Sequence, residues 1–182
     1  MKNVFFTAIL IFFSISIFSQ EKLSTTSGHI KFFSTTPVED IEANNYTVTS
    51  NLNPSTGVIV FSVPMQGFEF PKAKMQKHYN SKGFLNTKEF PKGKFKGTIT
   101  NLDDIDFNEN GSYSATVSGQ LTIHGVTNDV EEILKLDVKD RAVSGMTEFN
   151  ITLSDYGVVF EKGKPSTNIG KTIKITVLLN YK

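Results

Sequence analysis

The stretch YSATVSGQLTIHGVTNDV, Tyr113 to Val130, decides how the chain folds. Tyr113, Ala115, Val117, Gly119, Leu121 and Ile123 take the odd positions of its first part. Ser114, Thr116, Ser118, Gln120, Thr122 and His124 hold the even ones. Side chains of an extended strand alternate between two faces, so this pattern predicts a long strand with one apolar and one polar face. The polar face ends at His124-Gly125, where the strand runs into a turn. An imidazole there can hydrogen-bond the turn's carbonyls or the hydroxyls of Thr122 and Thr127. We read His124 as a residue that holds the turn, ahead of ligand contact, metal ligation or catalysis.

The same alternation recurs along the chain. Ile173, Ile175, Val177, Leu179 and Tyr181 oppose Thr172, Lys174 and Thr176, and Phe149, Ile151 and Leu153 oppose Asn150, Thr152 and Ser154. Phe95, Gly97 and Ile99 stand against Lys94, Lys96 and Thr98, while Val58 to Val63 is apolar on both faces before it alternates. Asn110-Gly111 reads as a hairpin dipeptide and Asn53 to Gly57 as a Pro/Gly loop. About eight such strands make an antiparallel sandwich or barrel.

One segment breaks the pattern. PKAKMQKHYNSKGF opens on Pro71, suited to a helix's first turn, and reaches Gly83, suited to the position past its end. Met75, His78 and Tyr79 fall on one helical face between them. Phe68 and Phe70 precede the segment, and Phe84 and Phe90 follow it. The spacing predicts a short amphipathic helix, either a lid on a barrel mouth or the cover of an open sheet edge.

The N-terminal MKNVFFTAILIFFSISIFSQ has Lys2, then an apolar and hydroxyl run from Val4 to Phe18. That run falls short of the ~20 residues that cross a bilayer. It has the parts of a secretory signal peptide. We expect residues 1–19 to be that signal, with cleavage after Ser19 or Gln20. Residues 20–182 then form one periplasmic or secreted domain without an integral membrane anchor. The chain has no cysteine, hence no disulfide and no lipid-acceptor thiol. Nineteen Lys and Arg against eighteen Asp and Glu give no field that would attract nucleic acid. Eleven of the sixteen Phe follow the signal segment, enough to line an interior.

Chemistry finds few footholds. Asp104, Asp106 and Asn108 alternate as in a calcium loop, but Glu109 stands where such a loop needs Gly and Ala115 where it needs Glu. An acidic hairpin turn is the expectation. His29, His78 and His124 are isolated, without a zinc-binding pairing. There is no Gly-x-Ser-x-Gly elbow, no cysteine nucleophile and no Gly-rich phosphate loop. No catalytic residue, metal ligand or cofactor is expected.

LTIHGVTNDV resembles the signature of the YceI-like family of secreted bacterial proteins, matching it at Leu121, Thr122, His124, Gly125, Val126, Thr127 and Val130. His78-Tyr79, Ser81, Phe84 and Phe90-Pro91 are similar to the family's insert, and TLSDYGV (Thr152 to Val158) to its segment near the end. Leu153 replaces the family's common Arg there, so a salt bridge through that position is not expected. The likeness runs in order from Gly28 to Tyr181.

The resemblance implies a lipocalin-like, all-β antiparallel barrel of eight strands, with the short helical insert at one mouth. It implies an elongated apolar lumen that binds a polyisoprenoid chain such as a quinone or polyprenyl lipid. An apolar strand face and a Phe-rich cover are also what a long hydrocarbon needs. The candidate lining residues are Phe61, Phe68, Phe70, Met75, Tyr79, Phe84 and Phe95, with Ile99, Tyr113, Leu121, Ile123, Phe149 and Ile151. An eight-stranded barrel can instead fill with its own side chains. The chain would then be an interaction or stress-response protein without a lipid. A homodimer is left open.

Overall fold

The computed structural model describes residues 22–159 and 169–182, so the expected signal segment 1–19 lies outside the described residues. Eight strands follow in order: β1 (Leu23–Thr35), β2 (Asp40–Leu52), β3 (Val58–Pro64), β4 (Lys92–Ile99), β5 (Gly111–Ile123), β6 (Val126–Lys139), β7 (Ala142–Thr152) and β8 (Thr172–Tyr181). Each pairs antiparallel with the next, and β8 pairs with β1 to close a barrel. The helix α1 (Ala73–Asn80) lies between β3 and β4. The expected fold is the observed one. Among the described residues, no helix is long and apolar enough to cross a membrane.

Period-two patterning accounts for the closure. Ile173, Ile175, Val177, Leu179 and Tyr181 of β8 are all buried, while Lys174, Leu178 and Asn180 between them are exposed. In β5, Ala115 and Val117 are buried between exposed Ser114 and half-exposed Thr116 and Ser118.

Two hairpins use two-residue turns with both residues at positive φ, the geometry that matches strand twist. His124 (52°) and Gly125 (79°) join Ile123 to Val126, and Asp140 (51°) and Arg141 (68°) join Lys139 to Ala142. Asn110-Gly111 is not a hairpin turn, contrary to expectation. Gly111 already pairs with Val138, and residues 100–110 form a longer link containing a 3-10 turn at Leu102–Asp104. Asn101 secures that link, its Oδ1 accepting from the Thr116 N–H at 2.7 Å. Asn110 braces the neighbouring hairpin instead, accepting from the Asp140 N–H at 2.8 Å.

The β1–β2, β3–β4, β5–β6 and β7–β8 links share one end of the barrel, the mouth, where α1 also lies. The opposite end is packed solid by Val48, Leu52, Ile59, Leu136 and Leu179, each no more than 1% exposed. Buried there, the Ser50 and Tyr181 hydroxyls bond at 2.9 Å, and burial pushes the Tyr181 phenol up to about 12.

Towards the mouth the ladder breaks twice. β2 and β3 pair only over Thr49–Leu52, and β6 and β7 only over Lys135–Lys139. The mouth half therefore parts into two walls, β2-β1-β8-β7 and β3-β4-β5-β6. Fully buried Asn45 spans the first gap, its Nδ2 donating to the Pro64 carbonyl at 2.8 Å. Its Oδ1 accepts from the Thr47 N–H at 2.9 Å and hydroxyl at 2.8 Å, so the buried amide is satisfied. At its mouth end the second gap is tied by Asn128, whose Nδ2 donates to the Asp155 carbonyl at 2.8 Å, and by His124.

Candidate functional site

Between the two walls lies a cavity of about 800 Å³. The barrel is thus filled at one end and hollow at the other. Ile30, Phe32 and Ile41 line it from β1 and β2, and Phe61, Val63 and Phe95 from β3 and β4. Val117, Leu121, Ile123, Val130, Glu132 and Leu134 face it from β5 and β6. Thr147, Phe149, Ile151, Ile173, Ile175 and Val177 complete the wall from β7 and β8.

The segment between β3 and β4 covers this space with Met65, Phe68, Phe70, Met75, Tyr79 and Phe84. Met75 and Tyr79 are one turn apart on α1 and share its inward face. An eight-residue helix is marginal by itself. Burying Phe68, Tyr79 and Phe84 offsets this, at roughly 1.5–3 kcal/mol per large apolar side chain. Tyr79 packs against Phe70 at 4.9 Å between ring centroids, Phe68 at 5.7 Å and Phe32 at 6.0 Å. Gln76 clamps the incoming chain to the helix, its Nε2 donating to the Phe68 carbonyl at 2.7 Å and its Oε1 accepting from the Phe70 N–H at 3.2 Å.

Apart from Ser81 and Tyr156, the polar residues that border the cavity divide into two sets. Lys72, Lys74, Lys77, Lys94 and His78 border the cavity on the α1 side, with Glu39 bonded to Lys72 at 2.6 Å. The inner set is Glu132, Thr147 and the Tyr79 phenol. Burial raises the pKa of Glu132 above the usual carboxyl value and that of Tyr79 above the usual phenol value. Tyr79 Oη and Thr147 Oγ1 are buried without a hydrogen-bond partner.

Every candidate lining residue except Ile99 and Tyr113 borders the cavity. Ile99 is buried in the filled end. Tyr113 sits beside the acidic loop, its hydroxyl donating to the Glu109 carbonyl at 3.1 Å. Alternation fixes the face a side chain takes, and both residues do point inward, but it carries no information about depth along the strand. Sequence reasoning missed Ile30 and Phe32 on β1, and Val130, Glu132 and Leu134 on β6. The alternation of Val126, Val130 and Leu134 on β6 was a usable signal for that face, with Glu132 in phase with it.

The histidines lie apart. His29 Nε2 bonds Asn44 Oδ1 at 2.9 Å, its ring stacked on Tyr46, and His78 stacks on Phe84. His124 Nδ1 lies 3.3 Å from the Tyr156 carbonyl oxygen, on the turn after β7. It bonds neither its own turn nor the neighbouring hydroxyls, since Thr122 and Thr127 bond each other at 2.8 Å. Among the described residues, no cluster of three or more His, Asp or Glu could hold a metal ion. Leu153 borders the cavity as a buried apolar residue.

A domain structure from Saccharophagus degradans, described as a polyisoprenoid binding domain implicated in plant cell wall breakdown, superposes with a TM-score of 0.74. It is 13% identical, over 88% of this chain and 97% of that one. Burkholderia cenocepacia BcnA gives 0.69 at 14% identity, over 85% and 96%. The Campylobacter jejuni YceI protein gives 0.54 at 14% identity, over 98% and 91%. At these identities the likeness is one of fold. No curated protein matches by sequence. The family model described as a YceI-like domain matches residues 12–181, spanning the barrel strands, the helical insert and the His124 hairpin, and the chain belongs to that family.

Proposed function

We propose that the chain is an exported binding protein that holds one long apolar lipid, of the isoprenoid quinone or polyprenyl type, in the mouth half of its barrel. The observation that carries this reading is the hollow itself: about 800 Å³ walled almost wholly by aliphatic and aromatic side chains. That volume lies within the roughly 300–1,000 Å³ of small-molecule pockets. At a ceiling of roughly 0.3 kcal/mol per heavy atom, a chain of ~40 carbons gains up to about 12 kcal/mol by burial. The candidate lining residues that border the cavity, from Phe61 and Phe95 to Phe149 and Ile151, are the proposed hydrocarbon contacts. Polyisoprenoid binding in the description of the Saccharophagus degradans domain supports the isoprenoid class. The apolar N-terminal segment supports export to the periplasm or beyond, by a carrier or sensor without catalytic residues.

The test is recovery from the native host. The soluble exported fraction should yield protein starting near Gln20 or Glu21, with one isoprenoid-like lipid per chain in an organic extract read by mass spectrometry. Lipid-free protein from that source would count against the reading. Recovery only from washed membranes, with Lys2 retained, would remove the export step.

A further inference from the structure

Besides the Tyr79 phenol on the covering segment, the strands bring two polar side chains to the inner cavity, Glu132 from β6 and Thr147 from β7, and both lie where these strands part. β6 pairs with β5 along nearly its whole length, and β7 with β8 likewise. Towards each other they pair only from Lys135 opposite Met146 to Lys139 opposite Ala142. Continued by register, the ladder would set Leu134 opposite Thr147 and Glu132 opposite Phe149. Glu132 and Thr147 would then be diagonal neighbours on the inner face, ~7–8 Å apart between Cα atoms. The strands separate instead, and both side chains border the cavity.

Neither group has a protein partner among the described residues, and of the two only the Thr147 hydroxyl is fully buried, Glu132 being half-buried. Thr147 Oγ1 is buried with no hydrogen-bond partner. Glu132 has no ion pair or hydrogen bond among the described residues, and burial alone displaces its pKa, upwards. Buried polar groups in native proteins are nearly always hydrogen-bonded, and an exception calls for a bound water, ion or ligand.

We propose that Glu132 and Thr147 form a hydrogen-bonding subsite within the cavity for one uncharged oxygen-bearing group of the bound lipid, an alcohol or a carbonyl. The proposal rests on the cavity being a lipid site and names the chemistry that site selects. A hydroxyl both donates and accepts, and a carboxyl accepts in either state and donates when protonated, so together they serve either ligand group. An anionic head is repelled once Glu132 ionises, and suits the lysines on the rim. A purely hydrocarbon ligand leaves both groups unsatisfied.

The experiment compares three probes on the delipidated full-length mature protein: geranylgeraniol, its hydrocarbon analogue lacking the hydroxyl, and geranylgeranylamine. The wild type should hold the alcohol roughly tenfold more tightly than the hydrocarbon, the effect of about one hydrogen bond. Glu132→Leu combined with Thr147→Val should erase that preference while keeping hydrocarbon affinity. If the double variant does not fold, Thr147→Val alone should reduce the preference about threefold, again the scale of part of a hydrogen bond. Equal affinity of the wild type for alcohol and hydrocarbon overturns the subsite and leaves the lipid reading intact. So does an unchanged preference in the variants. Tighter binding of the amine than of the alcohol would make Glu132 a carboxylate that pairs with cations, which also overturns it. Failure of the wild type to bind any probe overturns the lipid reading, and the subsite with it.

Discussion

His124 Nδ1 lies 3.3 Å from the carbonyl oxygen of Tyr156, tying the β5–β6 hairpin to the 3-10 turn Leu153–Tyr156 that follows β7. The other side of the same imidazole meets the Phe90 ring edge-on, at 4.5 Å between centroids. A Cβ on Gly125 would come within 2.7 Å of that ring, at a φ that already favours glycine. Three stretches that resemble family motifs separately in sequence, around Phe90, His124 and Tyr156, are therefore one clasp in space. It closes the mouth end of the gap between β6 and β7, where Tyr156 and Leu153 of the turn also border the cavity.

That geometry makes His124 a structural residue with a measurable signature. His124→Ala removes one hydrogen bond, at roughly 0.5–1.5 kcal/mol, and puts Ala at a left-handed φ. His124→Asn loses the same bond but tolerates that backbone, so it should melt between wild type and Ala. Thermal denaturation of the three, with bound lipid measured alongside, checks this. A variant as stable as wild type that has lost its lipid would make His124 a ligand contact instead.

Tyr79 invites the opposite kind of substitution. Its hydroxyl is buried with no partner, which costs about 1–3 kcal/mol in a folded protein. The ring itself packs against Phe32, Phe68 and Phe70. Tyr79→Phe keeps the ring and removes the orphan hydroxyl, so the ligand-free protein should melt at or above the wild-type temperature. Destabilisation by more than about 1 kcal/mol would mean that the phenol has a hydrogen-bond partner in solution.

The sequence carried the barrel because its signal is local. Tyr113 to Ile123 and Thr172 to Tyr181 alternate cleanly, and the side chains that alternate are the ones found inside. What it did not carry is long-range or depends on position along the barrel axis. Ile99 and Tyr113 share the inner face with Phe95 and Leu121, yet only the latter two reach the cavity. The break between β6 and β7 leaves no mark in either strand's pattern, so the importance of Glu132 and Thr147 emerged only from strand pairing. Asn110-Gly111 is not a hairpin turn: Gly111 already pairs with Val138, and the Asn110 side chain accepts from the Asp140 N–H. Asp140-Arg141, which turns β6 into β7, offers no glycine to announce it.

Gly97 and Gly119 pair across β4 and β5 at a point where the strands admit no side chain. A Cβ on Gly119 would stand 2.4 Å from Gly97 Cα and from the Lys96 carbonyl oxygen, both fixed backbone. Gly119→Ala must therefore push the strands apart, and overpacking of this kind costs typically about 1–3 kcal/mol. Gly83→Ala, with nothing within 4 Å of its Cβ, is the matched control and should be near neutral. Chemical denaturation of both variants measures the difference.

Glu132 should leave a mark on the pH dependence of stability. Burial raises its folded-state pKa above the unfolded value. The associated stability is complete below the unfolded pKa and is lost as pH rises through the folded one. Glu132→Gln mimics the protonated acid at every pH. The variant should be the more stable protein at neutral pH, and the difference should vanish as pH falls through the carboxylate range. A difference that stays constant from acid to neutral pH would show that Glu132 titrates as an ordinary surface group.

A tryptophan placed on either face of β5 tests whether the hollow holds a ligand. Ile123 borders the cavity, whereas Thr122 bonds Thr127 on the outer surface. Ile123→Trp adds an indole to unfilled space, so the protein should fold with near-native stability and lose most of its lipid. Thr122→Trp adds the same ring outside, giving up one hydroxyl contact worth roughly 0.5–1.5 kcal/mol while keeping its lipid. In a solidly packed interior Ile123→Trp would instead cost about 1–3 kcal/mol of stability, with no ligand to displace. Melting curves and lipid content for the pair separate the cases. Lipid lost from Thr122→Trp but kept by Ile123→Trp would put the binding surface on the outside of the barrel and end the lumen hypothesis.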